Sequence, residues 1–303
     1  MASPDARRFR WTWALAAGLL AAALLGGCAT LDERQRQWIF QPSDRSWGDS
    51  AQVAATMQDV WIRFDSRESG QPVQLHALWA ASADARAPVL LYLHGARWSV
   101  TGSAYRIRRM QELGFSVLAV DYRGFGRSDP QLPSERMAYE DARAAWDWIV
   151  QNHGERPRYI FGHSLGGAIA IELARSVSDE AGTLVEGTFS SLSDVVASMR
   201  WGWLPVGPLL TQRFESASKV REIGSPLVVV HGANDALIRP ELGRRLYEAA
   251  AEPKAFVLVE GGSHHNTNSI GQPQYREVLA RMFGIGANSG AGMRADGQSV
   301  LTR

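Results

Sequence analysis

A chain of 303 residues, 45% of them hydrophobic, can bury a core large enough for one domain of about 230 to 250 residues with short extensions. Its formal net charge of +1 supplies no electrostatic ground for binding nucleic acid or another polyanion. The single cysteine, Cys28, excludes an intrachain disulfide and a thiolate metal cluster.

At the start of the chain, Arg7, Arg8 and Arg10 precede an apolar run from Trp11 to Leu25, short for a bilayer span, and Leu25-Gly26-Gly27-Cys28 follows at once. The pattern resembles the signal and lipobox of bacterial lipoproteins. That resemblance implies a signal peptide over 1–27 and an acylated Cys28 as first residue of the mature chain. It also implies a membrane partner and a place on the periplasmic side of the cell envelope. Ala29 leans toward the outer membrane rather than the inner. An ordinary signal peptide or anchor with an incidental cysteine is the alternative. Residues 28–52 are polar and read as a tether, within which Trp38-Ile39-Phe40 is apolar enough to pack on the domain edge or on the membrane.

The domain is expected over 53–285. Val60–Phe64 and Val73–Trp79 flank Glu68-Ser69-Gly70-Gln71-Pro72 and predict a β-hairpin, with His76 an ordinary surface or edge histidine. Val89–Leu93 is a continuous apolar run, as in a strand buried on both faces, and ends in His94-Gly95-Ala96-Arg97. A helix is predicted over 103–113, then a strand over Phe115–Val120 ending in Asp121-Tyr122-Arg123-Gly124-Phe125-Gly126-Arg127-Ser128. Gly124 and Gly126 do not continue into a dinucleotide loop, because Asp129-Pro130 interrupts before any helix. Ser134 caps a further helix through Tyr139, Ala142, Trp146 and Ile149, on which Glu140, Asp141 and Asp147 read as a solvated face.

Tyr159-Ile160-Phe161-Gly162-His163-Ser164-Leu165-Gly166-Gly167-Ala168 predicts a strand, a sharp turn with a serine at its apex, and a helix. The two glycines let strand and helix approach, and Ser164 stands where the free N–H of Leu165 and the positive helix end can meet a developing oxyanion. With this elbow the chain resembles the α/β-hydrolase family, whose remaining groups follow in the order serine, acid, histidine. The resemblance covers 53–284 and is closest to compact serine hydrolases with a short cap, a lineage that includes protein depalmitoylases. It implies an α/β fold with a mostly parallel sheet of about eight strands and helices on both faces. It also implies that Ala96 N–H is the second oxyanion donor and that His94 organises its loop.

A strand is predicted over Gly182–Phe189 and a helix start at Ser190–Asp194. Asp194 is a rival for the triad acid. Residues 199–221, rich in Pro and Gly, read as a short cap that lines an acyl pocket, touches the bilayer or packs on the core. Pro226–Val230 leads to His231-Gly232-Ala233-Asn234-Asp235, and Ala255–Val259 leads to Glu260-Gly261-Gly262-Ser263-His264-His265. Asp235 is the favoured acid, with His231 supporting the turn. Only one of the adjacent histidines can serve as base, and the Glu-Gly-x-x-His likeness favours His264 over His265. A C-terminal helix over 274–283 and a disordered tail over 286–303 complete the chain. The expected reaction is hydrolysis of an ester or thioester of a small-molecule or lipid acyl substrate, through an acyl-enzyme on Ser164, with no cofactor and no metal. A peptidase on the same triad and a catalytically silent tethered binding protein are the alternatives.

Overall fold

The structure is a computed structural model describing residues 27, 29–43, 48–199 and 207–286. The expected signal segment before Gly27, Cys28, cap residues 200–206 and the tail beyond 286 lie outside the described residues. Two strands, β1 (Gln58–Asp65) and β2 (Pro72–Ala80), pair antiparallel as the expected hairpin. The other six are β3 (Val89–Leu93), β4 (Ser116–Val120), β5 (Arg158–His163), β6 (Gly182–Glu186), β7 (Leu227–Gly232) and β8 (Lys254–Val259). They run parallel to one another in a single sheet ordered β1-β2-β4-β3-β5-β6-β7-β8.

Alternation along each strand divides the core between the two faces. Leu91 and Leu93 of β3 join one cluster with Ile160, Val185 and Val229, whereas Leu90 and Tyr92 join the other with Phe161, Leu184 and Val228. The helices are α1 (29–40), α2 (Ser50–Ala54), α3 (Ala104–Glu112), α4 (Glu135–His153), α5 (Leu165–Ser176), α6 (Leu192–Ser198), α7 (Ser216–Lys219), α8 (Pro240–Ala249), α9 (Thr267–Ile270) and α10 (Gln272–Phe283). The first face is covered by α4, α5 and α8, the second by α3 and α10. Ser134 caps α4 by accepting the Met137 N–H at 3.2 Å, as its sequence position predicts. Because the chain leaves β3 toward β4 on one side and returns to β5 on the other, a crevice opens between the carboxyl ends of β3 and β5. That is where an open α/β sheet binds its ligand.

Three readings change in three dimensions. Asp141 does not belong to a solvated face: it is fully buried on α4, where Arg123, itself without exposure, donates to it from both Nε and the backbone. His76 is not a surface residue, since its ring is enclosed with Nε2 2.8 Å from Asp59 and Nδ1 3.4 Å from Asp121. Residues 29–40 form a helix on the domain. Its Phe40 is buried edge-on against Phe125 and Phe214, while Arg36 donates to the carbonyls of Leu132 and Pro133, and Gln35 to that of Leu209. Burying Phe40 contributes about 2 to 3 kcal/mol, enough to hold the end of α1 against the sheet.

Candidate active site

The turn from β5 into α5 puts Ser164 at φ 55°, ψ −121°, a conformation a non-glycine residue holds only when its surroundings impose it. Those surroundings are backbone: a Cβ on Gly162 would overlap the Gly166 carbonyl, and one on Gly166 would overlap that of Leu93. Only glycine admits strand, helix and β3 loop at this spacing. The Ser164 N–H donates to Glu186 O at 2.9 Å, which fixes the elbow to the neighbouring strand.

Beyond β7, Asp235 turns its carboxylate inward. Oδ1 accepts the backbone N–H groups of Leu237 (3.0 Å) and Ile238 (2.8 Å), and Oδ2 accepts from His264 Nδ1 at 2.8 Å. His231 lies under the same turn, donating from Nε2 to Ile238 O at 2.9 Å and standing 3.5 Å from Oδ2. Burial alone would push the Asp235 carboxyl upward. The hydrogen bonds of His231 and His264, with the Ile238 N–H, outweigh it and hold the group well below the usual carboxylate range. Asp235 is therefore an anion at neutral pH, the state that keeps the proton on His264 Nδ1 and leaves Nε2 as the acceptor. His264 Nε2 then faces Ser164 Oγ at 3.0 Å.

Three side chains from the ends of β5, β7 and β8 thus form one hydrogen-bonded chain, in the order serine, acid, histidine along the sequence. The rivals stand elsewhere. Asp194 closes the first turn of α6, taking the Ser190 hydroxyl, and its backbone N–H bonds the Ser191 cap. His265 packs its ring edge-on against His264 and is exposed.

The loop after β3 lies directly against the elbow. A Cβ built on Gly95 would meet Ser164 Cβ at 3.1 Å, and Ala96 and Leu165 both line the cavity that opens at Ser164. Among the described residues neither Ala96 nor Leu165 uses its backbone N–H in a hydrogen bond, so both are free to donate. His94 is buried below, donating from Nδ1 to Gly95 O at 2.7 Å, and burial keeps it neutral by pulling its pKa down. One clamp on this loop has no motif to announce it. Arg97, at φ 76°, donates its N–H to Phe40 O at 2.9 Å, while its carbonyl accepts the Ser43 hydroxyl at 2.7 Å. The end of α1 therefore ties down the residue next to Ala96. Only the apolar character of Trp38-Ile39-Phe40 hinted that this segment packs inward.

The cavity measures about 260 Å³, with apolar walls from Trp38 and Ile39 of α1, Phe189, Leu192 and Val195 around α6, and Leu237 and Ile238 after β7. Its polar side holds Ser164, His264, His163, His265 and Arg97. Among the described residues no group of acidic, histidine or cysteine side chains is arranged to hold a metal.

Residues 84–201 match the family described as Serine aminopeptidase, S33. Over 251 residues the chain is 31% identical to an uncharacterized protein of Mycobacterium tuberculosis, covering 82% of this chain and 86% of that one. The chain belongs to the α/β-hydrolase family. Lysophosphatidylserine lipase ABHD12 of Danio rerio is 32% identical over 188 residues, which make up 56% of this chain and 49% of the lipase, so this α/β-hydrolase spans about half of that relative. In fold it resembles the Pyrococcus furiosus esterase Pf2001, with a TM-score of 0.61 at 17% identity over 80% of this chain and 98% of the esterase. With esterases, lipases and peptidases as its relatives, this α/β-hydrolase is a serine hydrolase.

Proposed function

We propose that the protein hydrolyses an ester or thioester of an apolar acyl chain through a Ser164-His264-Asp235 triad. The observation carrying this reading is the unbroken chain from Asp235 Oδ2 through His264 (2.8 Å) to Ser164 Oγ (3.0 Å) at the mouth of an apolar cavity. His264 Nε2 takes the Ser164 proton as Oγ attacks the carbonyl carbon. The oxyanion settles on the N–H groups of Leu165 and Ala96. Collapse expels the alcohol or thiol, which leaves with the proton from His264. Water, deprotonated in turn by His264, then releases the acid from the acyl-Ser164. A fluorophosphonate probe tests the reading: it labels the wild-type chain and leaves Ser164→Ala unlabelled.

Acyl esters fit this site better than N-terminal peptides do. Holding a free α-ammonium needs a carboxylate at the mouth, and among the described residues the cavity is lined by Arg97, His163 and His265 but by no Asp or Glu. The lysophosphatidylserine lipase relatives agree with a single-chain amphiphilic ester, and a thioester of the same acyl chain would use the same pocket and triad. Trp38, half exposed on α1, walls the pocket. Trp38→Ala is expected to raise kcat/KM for the longest of a series of p-nitrophenyl esters, relative to the shortest, by about 10-fold.

Acylation of Cys28 would hold this hydrolase at the periplasmic face of the envelope, close to acyl lipids. In cells fed a labelled fatty acid the wild-type chain is then expected to carry the label and Cys28→Ser to lack it. Equal labelling of Cys28→Ser, or none of the wild type, would exclude the lipid anchor at Cys28.

A further inference from the structure

Behind the histidine loop lies a buried polar cluster that takes no part in the bond-making and bond-breaking steps. Glu186 closes β6 with a carboxylate that has no exposure: Oε1 is 3.2 Å from Arg106 Nη2 of α3, and Oε2 takes the Tyr275 hydroxyl from α10. From this base two donors rise toward successive carbonyls of one loop. His163 Nε2 donates to His264 O at 3.1 Å, and Arg106 Nη2 reaches His265 O at 3.4 Å. His163 Nε2 is also 3.8 Å from Glu186 Oε1, so the carboxylate stands beneath both donors.

The protonation states suit this task. Burial, with the charge of Arg106 and the neighbouring His264, drives His163 well below its ordinary pKa, so it is neutral with its one N–H on the nitrogen facing the carbonyl. Burial also pulls Arg106 down, but the Glu186 carboxylate, together with Tyr92 and Tyr275, more than offsets it. A buried ion pair is a poor source of stability, because apolar residues of the same volume pack as well without desolvating two charges. Its retention directly under the 264–265 backbone calls for another reason. The loop between β8 and α9 carries His264 without strand or helix geometry of its own. The 3.0 Å and 2.8 Å contacts of His264 demand that its backbone be held to a fraction of an ångström. His163 immediately precedes Ser164, so its ring ties the backbone of one triad member to that of the next.

We propose that His163, Arg106 and Glu186 are positioning residues that fix the 264–265 backbone, so that the His264 imidazole stays in register with both Ser164 and Asp235. The proposal rests on the triad reading. It predicts an effect on turnover and little on substrate binding, since His163 meets the cavity on its polar side, away from the acyl walls, and Arg106 does not line it.

The test compares His163→Leu with His163→Gln in the full chain, on p-nitrophenyl butyrate. His163→Leu removes the donor and is expected to lower kcat about 10- to 100-fold with KM changed by less than about twofold. His163→Gln keeps a side-chain N–H and is expected to retain kcat within about threefold. Both leave the Arg106–Glu186 pair in place, and thermal unfolding of the two proteins separates lost fold from lost turnover. Placed in a His264→Ala background, His163→Leu should cause no further loss, because the group it positions is gone. An equal loss in that background, a change confined to KM, equal losses in the Leu and Gln variants, or full activity of His163→Leu would each overturn the proposal. Full activity of His264→Ala itself would instead overturn the triad reading, so the two failures are distinct.

Discussion

Ser164→Ala and His264→Ala are each expected to lower kcat by about 10⁴ to 10⁶, and the double variant to lose no more than the worse single one. The non-additivity follows from the geometry. Ser164 Oγ, 3.0 Å from His264 Nε2, is a nucleophile only while that nitrogen removes its proton, and the later proton transfers of the imidazole act on an acyl-enzyme that only Ser164 can form. Asp235→Ala should cost about 10⁴, because it removes the anion that keeps the His264 proton on Nδ1 and stabilises the imidazolium. Two loop hydrogen bonds go with it, from Leu237 and Ile238. Asp194→Ala is the informative control. Its carboxylate takes the Ser190 hydroxyl just before α6, so turnover should stay at the wild-type level. Steady-state rates on a p-nitrophenyl ester, expressed per mole of folded protein, measure all five variants. A large loss in Asp194→Ala with little in Asp235→Ala would reverse the acid assignment.

The parts of this molecule legible in the sequence are those whose cause is local. Strand period, the glycines of the elbow and the polar residue just past each apolar run all act over a few positions, so the sheet and the candidate residues Ser164, Asp235 and His264 could be marked before any contact was known. The Glu-Gly-x-x-His likeness favoured His264 over His265, but which ring faces Asp235 across 29 residues of chain is visible only in the fold. Distant causes left little trace. Asp141 sits among other charges on α4 and has the spacing of a solvated face; what buries it is Arg123, entering from a loop 18 residues earlier. His76 reads as an edge histidine because β2 lies near the sheet margin, yet Trp61 of β1 covers it with ring centroids 5.2 Å apart. In α1 polar residues dominate the composition, while three apolar ones at its end decide where it packs. Its tie to Arg97 runs through the Phe40 carbonyl, which no side-chain pattern reports.

The same Arg123 carries the largest expected effect on stability. Its guanidinium is sealed from solvent and every nitrogen donates: Nε to Asp141 at 2.8 Å, Nη1 to Ser66 at 2.9 Å, and Nη2 to Glu140 at 2.7 Å and to Met137 O at 3.2 Å. Asp141→Ala leaves this cation buried with one carboxylate where it had two, and is expected to cost about 3 to 5 kcal/mol. Asp141→Asn keeps an acceptor and most of the shape, so it should cost less. Replacing both partners by apolar residues, Arg123→Met with Asp141→Leu, should recover much of the loss, because the desolvation of two charges disappears along with their attraction. Equilibrium urea unfolding reads all three as shifts in midpoint at constant slope. If Asp141→Ala left the midpoint where it was, Glu140, Ser66 and the Met137 carbonyl would suffice to hold the guanidinium. The Asp141 carboxylate would then serve the Arg123 backbone N–H, accepted at 2.9 Å, and with it the turn after β4. The order Ala, then Asn, then the apolar pair in decreasing cost separates these cases: a guanidinium that needs its anion suffers most when only the anion is taken away, whereas a turn that needs an acceptor suffers equally from Ala and from Leu.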